Sequence, residues 1–313
     1  MTLPRSGLDD SPPAQGAELD ELATEAGSKA RADLDLRSTV ELVELMNTED
    51  MTVPAAVREA ASAIAATVEA IAGCLGRGGR LIYVGAGSSG RIAALDASEC
   101  ESTFSTPSGQ IVSLIAGGLD ASPLEQEAAE DDRAGGAADI AVLGPNSDDF
   151  VLGVSASGRT PYVLAALATA SEAGAQTGCL VSVNDSELEG LVDHPIVVVV
   201  GPEFLAGSTR LKAGTAQKLV LNTLSTASMI RLGKTFGNLM VDVSATNEKL
   251  RARVRRIVRT ATGASSEQVD EALAATGGDA KVAIVSLLAG IDPDEARMRL
   301  DDAGQSIRLA LGQ

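Results

Sequence analysis

The chain has 313 residues, enough for one large domain and a small one, and its 43 acidic and 25 basic side chains give a formal net charge of −18. This acidic excess argues against nucleic acid and anionic membranes as partners, and a chain without Trp and with two Tyr and four Phe offers few stacking platforms for single-stranded nucleic acid. Three scattered cysteines favour a reduced cytoplasmic protein over a disulfide framework or zinc site, and no apolar run approaches the length of a membrane span.

The N-terminal part of the chain begins with a polar segment and continues with helical patterns. Residues 1–30 are predicted to form a flexible acidic tail, and their Pro-rich start has no apolar core typical of a secretory signal. Ser38-Thr39-Val40-Glu41 is a capping box that predicts a helix start. A second helix is expected from about Thr52, with Pro54 in its first turn, to about Leu75.

From Arg80 onward, short apolar runs alternate with helical segments. The runs are Leu81–Val84, Gln110–Ala116, Phe150–Val154, Thr177–Val183 and Pro195–Val200. Continuous Val, Ile and Leu runs separated by helices are typical of a parallel sheet that is buried on both faces. The predicted fold class is therefore α/β, with a parallel sheet between two layers of helices.

The C-terminal part of the chain is expected to be helical. A long helix is predicted from about Ala213 to Leu232, and no strand pattern remains beyond about Arg259. Helix starts are indicated at Ser265 or Ser266, at Asp279 and at Asp292-Pro293. The predicted organisation is thus a tail over residues 1–30, an α/β domain over 31–258 and a small helical subdomain over 259–313.

Two turns of similar design are the most informative motifs. They are Gly85-Ala86-Gly87-Ser88-Ser89-Gly90-Arg91 and Ser155-Ala156-Ser157-Gly158-Arg159-Thr160-Pro161. Each follows an apolar run and leads into an Ala-rich helix. A strand that ends in such a turn presents free backbone N–H groups and a positive helix end to an anion, and the hydroxyls add further donors. Together the turns predict that a phosphate-bearing ligand is held between them.

The first turn also satisfies the Gly-x-Gly-x-x-Gly pattern of dinucleotide-binding proteins. That interpretation requires an acidic residue at the end of the next strand, to hold the ribose. Here the next run ends Ala116-Gly117-Gly118, and no acid follows until Asp120. A compact phosphate suits Ser88 and Ser89 better than an extended pyrophosphate does, so the dinucleotide interpretation is the weaker one.

Carboxylates are the best candidates for general acid and base groups. His194 is the only histidine, and it begins a strand at the end opposite the expected ligand crevice, so His-dependent nucleophilic schemes are disfavoured. Glu99 is expected near the far end of the helix opened by the first turn. The capping box Ser122-Pro123-Leu124-Glu125 predicts a helix that carries Glu127, Glu130, Asp131 and Asp132. A solvated acidic face is the alternative interpretation for these carboxylates.

Arg210 and Lys212 follow the last predicted strand. Because the carboxyl ends of parallel strands meet at one edge of the sheet, this segment is expected beside the two turns. The two cations are candidates for binding a ligand phosphate or carboxylate, and solvent-facing roles are an equal alternative.

These runs together resemble the N-acetylmuramic acid 6-phosphate etherase family, which is built on the sugar isomerase (SIS) fold. The resemblance extends from Ser38 to Leu311. It rests on Gly85–Arg91, Leu95–Cys100, Ala129–Asp131, Ser155–Tyr162, Gly207–Lys218 and Phe236–Asp242. It implies an enzyme that cleaves the lactyl ether of a 6-phosphorylated amino sugar by eliminating D-lactate and adding water. No metal or other cofactor is implied.

The resemblance also assigns residues. Glu99 matches the proton donor to the ether oxygen, and Glu130 matches a second catalytic carboxylate whose natural role is removal of the C2 proton. The positions that match the phosphosugar site and its turns are Ser88, Ser89, Gly90, Ser155, Ser157, Gly158 and Thr160. A homodimer that shares its sites is expected. Glu101-Ser102 replaces the Pro-Pro pair usual in the family, which bears on the local loop geometry.

Two other functions are compatible with the same fold. One is a sugar-phosphate-binding regulator without catalysis, which would not need both Glu99 and Glu130; the chain also lacks a basic helix-turn-helix segment of the kind that SIS transcription factors carry. The other is an aldose-ketose isomerase, which would use similar proton chemistry at C2 and differ in its product. The etherase is the favoured interpretation.

Overall fold

Five parallel strands form the central sheet of the computed structural model, which describes residues 32–119, 121–243 and 248–313. The strands are β1 Leu81–Gly85, β2 Ile111–Ile115, β3 Phe150–Val154, β4 Gln176–Val181 and β5 His194–Val197. Their spatial order is β2-β1-β3-β4-β5. The predicted α/β class with a parallel sheet is confirmed, and the predicted tail over residues 1–30 lies outside the described residues.

Helices cover both faces of this sheet. In chain order they are α1 Thr39–Asp50, α2 Val53–Glu59, α3 Ala61–Gly76, α4 Gly87–Phe104, α5 Pro123–Ala129, α6 Arg133–Leu143, α7 Pro161–Glu172, α8 Glu187–Leu191 and α9 Lys212–Arg231. In β1, Leu81 and Tyr83 point into a core with α3, α4 and α9, while Ile82 and Val84 point into a second core with α6 to α8. Because successive side chains of a strand alternate between faces, a strand buried on both sides must be apolar throughout.

The helix expected from about Thr52 to Leu75 is divided. It consists of α2 and α3, which meet at Ala60, and the axis of the chain turns there by 61°. At Ala60 the backbone leaves the helical region (φ −85°, ψ 6°), and its N–H bonds to the carbonyl of Val57. The turn lets both segments pack against α9. No Gly or Pro at Ala60 indicates this break in the sequence, because it is required by tertiary packing.

The strand order places a topological switch at the centre of the sheet. From β1 the chain crosses through α4 to β2 at one edge, and from β3 it crosses through α7 to β4 on the other side. β1 and β3 are direct neighbours, with Gly85 opposite Val154 at their carboxyl ends. Ligands of open α/β sheets bind outside the carboxyl ends of the strands where the order reverses. Both predicted phosphate turns start at this point.

The C-terminal part packs around a core of its own. It comprises the hairpin β6 Thr235–Phe236 and β7 Leu239–Met240, followed by α10 Glu248–Thr262, α11 Ser266–Ala275, α12 Ala280–Ala289, α13 Pro293–Asp302 and α14 Ile307–Ala310. The domain boundary expected between residues 258 and 259 falls inside α10. Val254, Ile257 and Val258 of this helix are buried in the C-terminal core, together with Val241. The packed C-terminal unit therefore includes residues well before 259.

Within the described ranges, no single helix combines the length and apolar character that a membrane span requires, although two sharply bent helix pairs pass that test when joined.

Candidate active site

The first turn is built on a close approach between the end of β1 and the start of α4. A Cβ atom on Gly85 would lie 2.8 Å from both the N and the Cα atom of Gly90, so only glycine fits at this contact. Gly87 adopts a positive φ of 52° as the chain turns from strand to helix. The residue before the helix is Ala86, whose side chain has no oxygen to cap it. Ser88 and Ser89 are partly exposed in the first turn of α4.

The second turn is organised by hydroxyl groups. The buried Ser155 Oγ accepts a hydrogen bond from the Gly158 N–H at 3.1 Å and lies 2.8 Å from Thr160 Oγ1. Gly158 has a positive φ of 65°, and a Cβ there would lie 2.4 Å from the Cβ of Ser186. Ser157 Oγ lies 3.4 Å from Ser155 Oγ, which completes a cluster of three hydroxyls at the end of β3.

The helices that follow these two turns begin without a side-chain cap, in contrast to most helices in the described part of the chain. Caps elsewhere are made by Ser38, Ser122, Asp132, Ser186, Ser265, Asp279, Asp292 and Ser306. At α4 the preceding residue is Ala86, and at α7 the hydroxyl of Thr160 contacts other groups instead. Because no cap side chain occupies the start of α4, its first N–H groups can serve an anion. At α7 fewer donors are open, since Pro161 has no N–H and the Tyr162 N–H bonds to the Glu130 carbonyl.

Glu130 lies beside the second turn, at a break between two helices. The acidic helix predicted from Ser122 ends at Ala129, and a new helix, α6, starts after Asp132, whose side chain caps it. The Thr160 hydroxyl donates to Glu130 Oε1 at 3.2 Å, and the Glu130 carbonyl accepts the Tyr162 N–H at 3.1 Å. Both the side chain and the backbone of Glu130 are thus attached to the second turn.

Burial is the main influence on the Glu130 carboxyl. It raises the pKa of this group above its ordinary value of 4.5, the hydrogen bond from Thr160 opposes the shift, and the neighbouring Asp131 and Glu127 add to it. A carboxyl group with a raised pKa is a stronger base than an ordinary one when it is ionised, which is the property that proton abstraction from carbon requires.

Two side chains that were not predicted as site residues lie next to the first turn. Arg91 Nη1 donates to Gln126 Oε1 at 2.7 Å, and Arg91 Nη2 lies 3.4 Å from Ser88 Oγ. Gln126 is one helical turn before Glu130 on α5, and Arg91 is three residues after Ser88 on α4. Helical spacing from the predicted residues would have pointed to both. From α9, Gln217 Nε2 donates to Ser89 Oγ at 3.0 Å.

Glu99 lies in a different part of the molecule. It is exposed inside α4, five residues before the end of that helix, and lines a surface pocket of about 240 Å³ between α4 and α9. Ten helical residues separate it from Ser89, a distance of about 15 Å along the helix axis. The described part of a single chain therefore does not bring Glu99 to the two turns or to Glu130.

Asp96 forms the floor of the Glu99 pocket. Its carboxylate is 4% exposed and accepts hydrogen bonds from Tyr83 Oη at 2.9 Å, from Ser225 Oγ at 3.0 Å and from the side-chain amide of Asn222. All three donors are neutral. The network ties α4 to β1 and α9, and thereby fixes the helix that carries Glu99.

The two cations predicted to bind a ligand are placed otherwise. Lys212 is 3% exposed, and its Nζ lies 3.0 Å from Glu49 Oε2 in a buried ion pair. Its backbone N–H donates to Glu203, whose carboxylate caps α9. Arg210 is exposed in the loop before α9. The Lys212 ammonium group is therefore paired inside the protein in this structure, and its role in ligand binding stays a prediction, as does that of Arg210.

The structure shows two further features of the titratable side chains. His194 starts β5 and packs on Phe150 with ring centroids 5.6 Å apart, at the sheet edge opposite the turns, as its sequence position predicted. Burial raises the pKa of both the Cys100 and the Cys179 thiol to about 12, so neither is a thiolate at neutral pH. In the ranges that the structure describes, no group of three or more His, Cys, Asp or Glu side chains is placed to hold a metal ion.

Comparison with known proteins adds independent evidence. Residues 63–171 match the family model of the glucokinase regulatory protein N-terminal SIS domain. The N-acetylmuramic acid 6-phosphate etherase of Rubrobacter xylanophilus is 56% identical over 295 residues, which cover 94% of this chain and 97% of that protein. The etherase of Streptomyces avermitilis is 55% identical over 295 residues, with 94% and 95% covered. A solved phosphoheptose isomerase from Francisella tularensis is 21% identical, covers 60% of this chain and 98% of its own, and superposes with a TM-score of 0.47.

The relatives extend over both the sheet domain and the C-terminal helices, so the similarity is not limited to one shared domain. More than half of the aligned residues are identical, and the aligned region covers nearly all of each protein. The chain therefore belongs to the N-acetylmuramic acid 6-phosphate etherase family.

Proposed function

We propose that this protein cleaves the lactyl ether of N-acetylmuramic acid 6-phosphate to give N-acetylglucosamine 6-phosphate and D-lactate, and that it acts in the cytoplasm as a homodimer. The observation that carries the activity is the identity of 55 to 56% to etherases over 94% of the chain. The geometry is consistent with it, since two hydroxyl-lined turns lie at the switch point of the sheet and a partly buried carboxyl group is attached to the second of them.

The sugar phosphate binds between the two turns in this proposal. Ser88 and Ser89 offer hydroxyls at the start of α4, and Ser155, Ser157 and Thr160 offer them at the start of α7. The uncapped N–H groups at the start of α4 add donors, and the starts of both helices add a positive partial charge. Recognition through hydroxyls and helix ends suits a chain with a net charge of −18, because the positive potential is confined to the site.

The reaction needs one base and one acid. In the ring-opened sugar the C2–H bond is adjacent to an aldehyde, and the Glu130 carboxylate takes this proton. The electron pair forms a C2–C3 double bond as the C3–O bond to lactate breaks, and Glu99 protonates the departing oxygen. Water then adds its hydroxyl to C3, with Glu99 taking the proton from that water and Glu130 returning a proton to C2. The sum is one water consumed and one lactate released.

A second copy of the chain completes the site in our proposal. C2 and the ether oxygen of the substrate are only a few ångströms apart, yet Glu99 lies about 15 Å along α4 from Ser89. A dimer that places the α4–α9 face of one copy over the turns of the other would bring Glu99 to the substrate bound beside Glu130. Two-fold symmetry would then create two equivalent sites.

The first experiment measures D-lactate release from N-acetylmuramic acid 6-phosphate by the wild type and by Glu99→Gln and Glu130→Gln. We expect a loss of at least about a hundredfold in both variants, the usual scale of general acid–base catalysis. Glu172→Gln, the same change at an exposed glutamate at the far end of α7, is the matched control and is expected to keep activity. Binding of the sugar phosphate without lactate release by the wild type would instead support a regulator, and a ketose product would support an isomerase.

A mixing experiment tests the shared site. Glu99→Gln and Glu130→Gln are unfolded together and refolded as a one-to-one mixture. If each site takes one carboxylate from each copy, half of the dimers are mixed and each has one intact site, so about a quarter of wild-type activity returns. If each chain holds a complete site, every site in the mixture lacks one carboxylate and no activity returns, which would refute the shared arrangement.

A further inference from the structure

Arg91 differs from several other arginines of the sheet domain in the kind of partner that holds it. Arg77, Arg80 and Arg133 each pair with a carboxylate, those of Asp148, Asp149 and Glu187 respectively. Arg91 is held by a neutral amide, the Oε1 atom of Gln126 at 2.7 Å, and among the residues that the structure describes no carboxylate forms an ion pair with it.

Gln126 is fixed so that only its oxygen faces Arg91. The side chain is 6% exposed, and its Nε2 donates to the carbonyl of Gly118 at 2.9 Å. The amide therefore uses its donor on the loop after β2 and offers its acceptor to the guanidinium. This arrangement orients Arg91 without neutralising it, whereas a glutamate at the same place would do both.

The guanidinium lies inside the site described above. Its second nitrogen is 3.4 Å from the Ser88 hydroxyl at the start of α4. Gln126 and Glu130 are four residues apart on one helical segment, so their side chains emerge on the same face and about one turn apart. Arg91 is thus attached to the first phosphate turn through Ser88 and to the helical segment that leads to Glu130 through Gln126.

We propose that Arg91 binds the phosphate group of the sugar substrate and that Gln126 is a positioning residue that orients its guanidinium without forming an ion pair with it; this inference rests on the proposed function. A planar guanidinium forms two parallel hydrogen bonds to a phosphate, and its charge offsets that of the dianion. Arg91 is a cation without a carboxylate partner among the described residues, whereas the ammonium group of Lys212 is paired with Glu49.

The test uses N-acetylglucosamine 6-phosphate as the probe, because it carries the phosphate and lacks the lactyl carboxylate. Calorimetry on the full-length protein is expected to show binding about ten- to a hundredfold weaker for Arg91→Gln than for the wild type, with a smaller loss for Arg91→Lys. Arg133→Gln, an exposed arginine on α6, is the matched control and is expected to bind normally. Circular dichroism establishes that each variant is folded.

The alternative ligand group is the lactyl carboxylate. Unchanged binding of the probe by folded Arg91→Gln would overturn the proposal, and a loss confined to N-acetylmuramic acid without phosphate would assign Arg91 to the carboxylate instead. The outcome is separable from that of the proposed function. If the wild type releases no lactate but Arg91→Gln weakens probe binding, the assignment of Arg91 stands and the etherase function is refuted. If the wild type releases lactate but Arg91→Gln binds the probe normally, the etherase function stands and the assignment of Arg91 is refuted.

The role of Gln126 is tested by Gln126→Glu, which places a carboxylate against Arg91. We expect KM to rise about tenfold while kcat changes little, because neutralising the guanidinium weakens binding of the phosphate. In the Arg91→Gln background the same change is expected to add no further loss. A loss of equal size in both backgrounds would show that Gln126 acts only as a structural support and would overturn its positioning role.

Discussion

Asp96→Ala is the perturbation whose consequence the structure defines most fully. Asp96 is the acceptor for three neutral donors, and two of them, Tyr83 Oη and Ser225 Oγ, belong to residues that are 0% and 3% exposed. Burial and the nearby Asp96 carboxylate raise the pKa of Tyr83, so its hydroxyl stays protonated and needs an acceptor. Removing the carboxylate leaves that proton without a partner in a place that water does not reach.

The size of the stability loss depends on whether each donor can find another hydrogen-bond acceptor. Tyr83 has no other acceptor within hydrogen-bond distance in the described structure, so it contributes the full cost of a buried unsatisfied group, about 1–3 kcal/mol. Ser225 keeps a second acceptor, the carbonyl of Asn222 at 3.4 Å, and the partly exposed Asn222 amide can reach water. With the two smaller losses added, we expect Asp96→Ala to lower the free energy of unfolding by about 2–4 kcal/mol.

Urea unfolding of Asp96→Ala, Tyr83→Phe and the double variant measures this cost and its origin. Phe at position 83 removes the orphaned hydroxyl, so the double variant is expected to be about 1–2 kcal/mol more stable than the sum of the single changes predicts. Asp96→Asn keeps an acceptor for Ser225 and Asn222 and is expected to lose less than Asp96→Ala. A loss below about 1 kcal/mol for Asp96→Ala, or strict additivity in the double variant, would refute the reasoning.

Three further predictions concern other parts of the domain. A Cβ on Gly136 would lie 2.1 Å from the carbonyl oxygen of Tyr162. Gly136→Ala is therefore expected to push α6 and α7 apart and to lower the free energy of unfolding by about 1–3 kcal/mol. An unchanged midpoint of urea unfolding would contradict this contact. Glu203 is 1% exposed and accepts two N–H groups at the start of α9, so Glu203→Ala is expected to lose about 2–4 kcal/mol, with Glu203→Gln losing less. The raised pKa of Glu130 means that the folded protein binds more protons than the unfolded chain just above pH 4.5, so the free energy of unfolding falls as the pH rises through that window. Glu130→Gln lacks this loss, so urea unfolding should show it to be more stable than the wild type at pH 7 but not at pH 4. The opposite order would contradict the assigned shift.

The sheet and its turns could be predicted because their signals are local. A strand buried on both faces is apolar at every position, and the run Phe150–Val154 coincides with β3. The turns are equally local, because the contact between Gly85 and Gly90 allows only glycine and the hydroxyl cluster needs small polar residues in sequence. Local patterning was therefore enough to predict that both turns lie at the carboxyl edge of β1 and β3.

What the sequence did not reveal depends on contacts between distant segments. The ammonium group of Lys212 forms an ion pair with Glu49, 163 residues away along the chain. The sequence around Lys212 gives no indication of this partner. The end of α5 at Ala129 is marked by neither Gly nor Pro; Asp132 starts a new helix there because its carboxylate accepts the Gly135 N–H at 2.8 Å. Propensity and patterning describe such a break poorly, since the same residues are compatible with one continuous helix.

The break at Glu130 also determines how the proposed base is held. In a continuous helix its carbonyl would bond along the helix, whereas here the carbonyl accepts the Tyr162 N–H and the side chain accepts from Thr160. Both bonds lead to the start of α7, the helix that receives the phosphate in our proposal. Because phosphate and base share this support, a ligand that orders the second turn also orders the Glu130 carboxyl. A substrate without phosphate should therefore lose kcat as well as affinity, since binding energy at the phosphate would no longer position the base. Equal kcat for lactate release from N-acetylmuramic acid and from its 6-phosphate would show that the two functions of this turn are independent.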